Sequence, residues 1–193
     1  TALTKEAWQA INNLWLALEK SLKRPVNARD LPQILSQVRQ GNELVRGALD
    51  GTMLRNDIFN FIQLGTLIER GDNTARLIYA RHFLFLPSPS VLHQKNGLAH
   101  WDMVMSAIGA KRAYNWLHKG RMEGPRVLNF LIADQRMPRS LIYCYTNIVR
   151  QVDALEKGYG CSYETSRLAR AICDDFDASK IDELVNFGLE NFI

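Results

Sequence analysis

The chain has 193 residues, 47% of them hydrophobic and 23% charged, which is enough to bury a substantial core in one compact domain. Its 24 basic and 20 acidic residues leave a net charge of only +4, with no block of like charges, so neither a nucleic-acid surface nor a membrane surface is signalled. Cys144, Cys161 and Cys173 are odd in number and widely spaced, which argues against a disulfide framework and a thiolate zinc site and fits a reducing, cytoplasmic setting; no apolar run approaches the ~20 residues of a membrane span.

Helical periodicity dominates. Trp8, Ile11, Trp15, Leu18 and Leu22 step by three and four, a one-sided apolar stripe that Thr4 can cap. Asp30, followed by Pro32 in the first turn, opens a second helix with Ile34, Leu35 and Val38. Gly41 and Gly47 lower helix propensity and predict a break or bend before Leu54. A long central helix follows from about Leu54 to Phe85, apolar nearly all round, with Gln63, Arg70, Thr74 and Arg81 as its outer polar line. Pro87-Ser88-Pro89-Ser90 ends it. Shorter helices are expected around Trp101–Ile108, Tyr114–Leu117 and Val127–Ile132. Pro138 reads as the first position of another long helix, whose Leu141, Tyr145, Ile148, Val152 and Leu155 form a heptad-like seam ended by Gly158 and Gly160. A helix from Ser162 to about Phe176 and a capping box at Ser179-Lys180-Ile181-Asp182 complete the chain. No convincing strand pattern occurs. The fold class is therefore all-α: an antiparallel bundle of about eight to nine helices, with one long buried central helix, forming a single domain over 1–193.

The central helix carries the first candidate site. At about 100° per residue, Glu69, Asp72, Asn73 and Arg76 fall on one arc with Ile58, Ile62, Ala80 and Phe83. Polar groups inside an apolar stripe must find partners, so the quartet is expected to lie dry, either as a salt-bridge network or as a pocket binding a cation or amine. Asp72 and Arg76 have the spacing and order of a helical ion pair, and Arg55 projects to the same side four turns earlier.

The second candidate is Asp134-Gln135-Arg136-Met137-Pro138-Arg139-Ser140. Arg136 and Arg139 at a helix start oppose its macrodipole, so Asp134, the Glu69/Asp72 pair, or a bound phosphate or carboxylate, such as that of a peptide, must offset them. Ser140 lacks a nearby histidine base for nucleophilic work. Cys144 reads as core, and Trp8, Trp15, Trp101, Trp116, Tyr143 and Tyr145 read as core before they read as a stacking surface. No Glu-x-x-His pair occurs, and His82, His93, His100 and His118 lie on different segments, so no metal site and no cofactor are expected. Phosphate-binding glycine loops and serine-hydrolase elbows are absent.

The Leu67-Ile68-Glu69-Arg70-Gly71-Asp72-Asn73-Thr74-Ala75-Arg76-Leu77 stretch resembles the signature of the bacterial Alpha-E family, an all-helical group of largely unknown function, with Gly71 where alanine is usual. Arg46–Asp57, Tyr114–Leu117 and Phe130–Leu141 extend the resemblance over most of the chain. The resemblance implies a C-terminal portion of a longer two-repeat protein, with residues 1–50 belonging to a first repeat and 51–193 forming the second. It also implies association with an ATP-grasp-type ligase and a transglutaminase-like protein, hence an accessory or substrate-presenting role in a peptide-ligating system. Two alternatives are a catalytic domain acting on amide or ester bonds, with Glu69 as general acid/base, and a plain helical protein-interaction domain; self-association into a homo-oligomer stays open.

Overall fold

The computed structural model describes residues 2–84, 95–120 and 122–174. The Pro87–Ser90 segment, His93 and the Ser179–Asp182 capping box lie outside the described residues. Among the described residues, eight helices and no strand are found, so the fold is an all-α helical bundle. They are α1 (Lys5–Leu22), α2 (Leu31–Thr52), α3 (Asp57–Leu84), α4 (Lys95–Ala107), α5 (Lys111–His118), α6 (Gly124–Ala133), α7 (Leu141–Tyr159) and α8 (Glu164–Asp174). The chain divides into two compact units, Thr1–Phe59 and Asn60–Ile193.

The first unit is built on α1 against α2. Thr4 caps α1, its hydroxyl accepting from Ala7 N at 3.3 Å. Asn27, rather than the expected Asp30, satisfies the entry to α2: its Oδ1 accepts from Arg29 N at 2.9 Å and Asp30 N at 3.0 Å. The expected break at Gly41 and Gly47 does not occur, and α2 runs unbroken through both. The reason is close packing: a Cβ at Gly41 would lie 2.3 Å from Leu14 Cδ1, so glycine there admits α1 rather than ending α2. The face of α1 that turns toward α2 carries Ala7, Ala10 and Leu14, while Trp8, Ile11, Trp15 and Leu22 stay exposed. The apolar stripe expected to enter the core is thus the outer face, because the small side chains let the two backbones approach.

The second unit centres on α6 and α7. Val127, Phe130, Leu131 and Ile132 of α6 are buried with Ile78, Met105, Tyr114 and Leu141 in one cluster. A second cluster joins Leu67, Ile148, Val152 and Ala169, bringing α3 and α8 onto the α7 seam. That seam is buried as its spacing predicts, except that Tyr145 is half-buried. Gly160, at φ 66°, ends α7 in the left-handed conformation that glycine adopts without strain.

An acid clasp ties α7 to α8. Glu156 Oε1 accepts from Tyr163 N at 2.7 Å and Ser162 Oγ at 3.0 Å, and Arg170 reaches both Glu156 and Asp153. The Ser166 hydroxyl, the Tyr163 N–H, Arg170 and the Ser162 hydroxyl together hold the Glu156 carboxyl down at about 2. Ser166 Oγ is buried beside it yet closes no bond of ordinary geometry, so the Tyr163, Ser162 and Arg170 bonds are the ones that define the clasp. The folded value lies below the ordinary 4.5, so the stabilisation is complete above about pH 4.5 and is lost as pH falls toward 2. Urea midpoints measured across that window should fall with acidification in the wild type and fall less steeply in Glu156→Gln, where Asp134 and Glu164 still titrate.

Candidate functional site

Two sequence candidates, the α3 motif and the Asp134–Ser140 segment, meet in the second unit, through residues other than those expected. On α3 the buried face is Leu67, Gly71, Thr74 and Ile78, all within about 60° of arc on a helical projection. Glu69, Asp72, Asn73 and Arg76 centre about 180° away and are exposed. The expected dry quartet is therefore corrected: it is the outer face, and Arg70 and Thr74 from the expected outer line point inward. The physical reason lies in size and hydrogen bonding. At Gly71 the contact with α7 has room for a methyl but little more, since an added Cβ would sit 3.6 Å from Cys144 Cβ. Arg70 and Thr74 find backbone carbonyls there in place of water.

Those carbonyls belong to the turn before α7. Arg70 Nη1 donates to Pro138 O at 3.0 Å, and Thr74 Oγ1 donates to Arg139 O at 2.8 Å, with Arg70 O also 3.1 Å away. Thr74 is 1% exposed, so its hydroxyl bond is dry. The turn itself is two consecutive tight bends, closed by Met137 N to Asp134 O at 3.0 Å and Ser140 N to Met137 O at 2.9 Å. Pro138 occupies the second position of the latter bend, where its fixed φ is favourable. The helix starts at Leu141 rather than at Pro138, and its N-cap is Ser140. Ser140 is fully buried; its hydroxyl donates to Asp134 O at 2.7 Å and accepts from Tyr143 N at 3.2 Å. A hydroxyl so occupied is a structural cap, with neither exposure nor a base to make it a nucleophile.

Asp134 offsets Arg136, the first of the partners expected. Arg136 Nε and Nη2 grip the carboxylate at 2.9 and 2.7 Å, and Arg136 N donates to it at 2.9 Å. The Arg136 side chain holds the Asp134 carboxyl below its usual range, and the bond in turn raises the guanidinium. Arg139 is half-buried; its charge and that of Arg70 bear on Cys144, whose thiol is nonetheless pushed up by burial and stays protonated.

The exposed quartet is self-contained. Asn73 Nδ2 donates to Glu69 Oε1 at 3.0 Å and to Glu69 O at 2.9 Å, and Arg76 Nε donates to Asp72 Oδ2 at 2.6 Å. The Asp72 bond, then the charges of Asp72 and Glu69, raise the Arg76 guanidinium. An exposed pair of this spacing contributes little to stability, because water screens it. Arg55 does not share the helical projection of the quartet, because α3 begins at Asp57; its guanidinium donates to Asp50 O at 2.7 Å and lies 3.9 Å above the Phe59 ring. Among the described residues no group of three His, Cys, Asp or Glu side chains is placed to hold a metal, and no helix is long and apolar enough to cross a membrane.

The chain matches, over residues 1–193, the family model described as Alpha-E, "a predicted alpha-helical domain with a conserved ER motif". It belongs to the Alpha-E family. No curated protein and no solved structure matches it. The chain holds a single Glu-Arg dipeptide, Glu69-Arg70, so the family's named motif falls on the α3 site. Adjacent helical residues point about 100° apart, and the two halves of this motif accordingly separate. Arg70 clasps the turn before α7, and Glu69 faces outward to Asn73. Residue type alone offered one signal for the inner members: Gly71 and Thr74 are among the small side chains of the stretch, spaced to form one narrow strip with Leu67 and Ile78.

Glycine substitutions in the two units are expected to diverge. Gly71→Ala should stabilise by about 1 kcal/mol, since its Cβ meets only ordinary contact and alanine is the better helix former. Gly41→Ala should lose about 1 kcal/mol, because displacing Leu14 outweighs the same propensity gain. Chemical denaturation of both variants checks this.

Proposed function

We propose that this Alpha-E chain is a helical docking module that serves an ATP-grasp-type ligase, or presents its peptide substrate, through the outward face of α3. The observation that carries the reading is the composition of that face. Phe61, Ile68 and Tyr79 are 56%, 57% and 49% exposed at helical spacing, alongside the Glu69–Asn73 and Asp72–Arg76 pairs. Exposed apolar side chains bordered by oriented charges are the usual make-up of a protein-binding face. Association with an ATP-grasp-type ligase and a transglutaminase-like protein is what the family resemblance adds.

The rival reading, with Glu69 as general acid/base on an amide or ester, is less well supported. A catalytic carboxyl works from a concave, water-poor site that fixes the substrate. Glu69 stands on the convex side of a helix in water and is taken by the amide one turn on.

Calorimetry of the full-length protein with the ligase, with and without ATP, tests the proposal. Binding is expected, and Ile68→Glu combined with Asp72→Arg should weaken it at least tenfold, about 1.4 kcal/mol, at an unchanged melting point. Absence of binding to either associated protein ends the docking reading; loss of an amide-cleaving activity in Glu69→Gln revives the catalytic one.

A further inference from the structure

A second surface of the same unit is independent of α3. Between α4 and α5 lies an open depression of about 610 Å³ whose lining includes Met103, Met122, Asn115 and the Asp102–Lys111 ion pair at 2.8 Å. Helix α5 is anchored beneath it by Tyr114, which is fully buried with its ring edge-on to Phe130 at 5.4 Å. That anchor sets the rotation of the helix. Lys111 and Asn115 then line the depression, while Arg112 and Trp116, one turn apart, stand on the exposed side. Trp116 is 81% exposed.

The end of α5 is unusual. Lys119 has φ 52°, the single non-glycine residue with positive φ among those described, and it is followed by Gly120 at φ 74°. Residues with a Cβ rarely take this conformation. Lys119 is exposed and next in the chain to the lining residue Gly120, as the exposed Arg112 is next to Lys111. Among the described residues neither Arg112 nor Lys119 has a carboxylate partner, so the edge of the depression carries two cations without a paired counter-charge.

We propose that this depression binds an acidic peptide segment: an apolar side chain seated on Met103 and Met122, carboxylates met by Arg112 and Lys119, and the backbone read by Asn115. The chemistry of each group fits that occupant. Thioether side chains adapt to varied apolar shapes. A side-chain amide offers both a donor and an acceptor, as a peptide backbone does. Exposed guanidinium and ammonium groups favour carboxylates. The Asp102 carboxylate in the lining repels a polyphosphate backbone but can accept a peptide N–H, which favours a peptide over a nucleic acid.

Fluorescence anisotropy on the full chain tests this, using a labelled peptide of alternating Glu and Leu, its Gln/Leu counterpart, and labelled oligo-dT of equal length. The Glu peptide should bind at least tenfold more tightly than the Gln peptide, weaken with added salt, and shift the Trp116 indole N–H resonance, assigned with Trp116→Phe. The Arg112→Glu/Lys119→Glu variant should lose at least tenfold in affinity. Lys119→Gly suits the backbone conformation at that position, so it should weaken binding at an undiminished melting point. Equal binding of the Glu and Gln peptides, oligo-dT binding as tightly as the Glu peptide, or full affinity in the folded Lys119→Gly and double variants would overturn the proposal.

Discussion

Replacing Ser140 by alanine is expected to lower stability by about 2–3 kcal/mol, the sum of a lost N-cap and a buried carbonyl left without its donor. The hydroxyl serves two masters: Asp134 O at 2.7 Å and Tyr143 N at 3.2 Å, at a position with no exposure to water. Water cannot substitute at such a site, so the full desolvation cost is felt. For a chain of this size the melting point should fall by about 5–10 °C. Ser140→Thr keeps the hydroxyl but adds a methyl in a closed space, so it should recover only part of the loss. A melting point within about 1 °C of wild type for Ser140→Ala would show that the turn does not hold α7 in this way.

Thr74→Val should cost about 1–2 kcal/mol, since it preserves shape and removes the dry hydroxyl that Arg139 O and Arg70 O share. Glu69→Gln, five residues earlier on the opposite face, should change stability by less than about 0.5 kcal/mol, because the bond is exposed and the glutamine oxygen or water can accept in its place. Paired urea denaturation curves read both values. The contrast matters for the family motif: it separates an inward half that holds the fold from an outward half left free for recognition. Equal losses in the two variants would mean that Glu69 is structural too, and would remove the basis for treating the outer face of α3 as a docking surface.

Local chemistry made much of the architecture readable in advance. The hydroxyl of Thr4 caps α1, Pro32 sits in the first turn of α2, and the Leu141–Leu155 spacing marks the buried seam of α7. These depend on interactions within a few residues, which the order of amino acids states directly. Gly41 and Pro138 misled for the opposite reason. Glycine weakens an isolated helix, but in α2 it accommodates Leu14; proline suits a helix start, but here it suits the tight bend that leads into one.

The α3 quartet shows where local reading stops. Helical spacing correctly grouped Glu69, Asp72, Asn73 and Arg76 on one face and Gln63, Arg70 and Thr74 on another. It did not say which face is wet, because α3 has apolar side chains on both sides and a weak preference for either orientation. The choice was made by Gly71 and Thr74 against Cys144 and the Arg139 carbonyl, partners about seventy residues away in sequence. The identity of the helices, their caps and the grouping of side chains on each face were thus determined by the chain's own order. The rotation of α3, the exposure of its acidic face and the meeting of its inner face with the 134–140 turn were decided only by tertiary packing, since close approach and hydrogen bonding to distant backbone outweigh a nearly symmetric hydrophobic pattern.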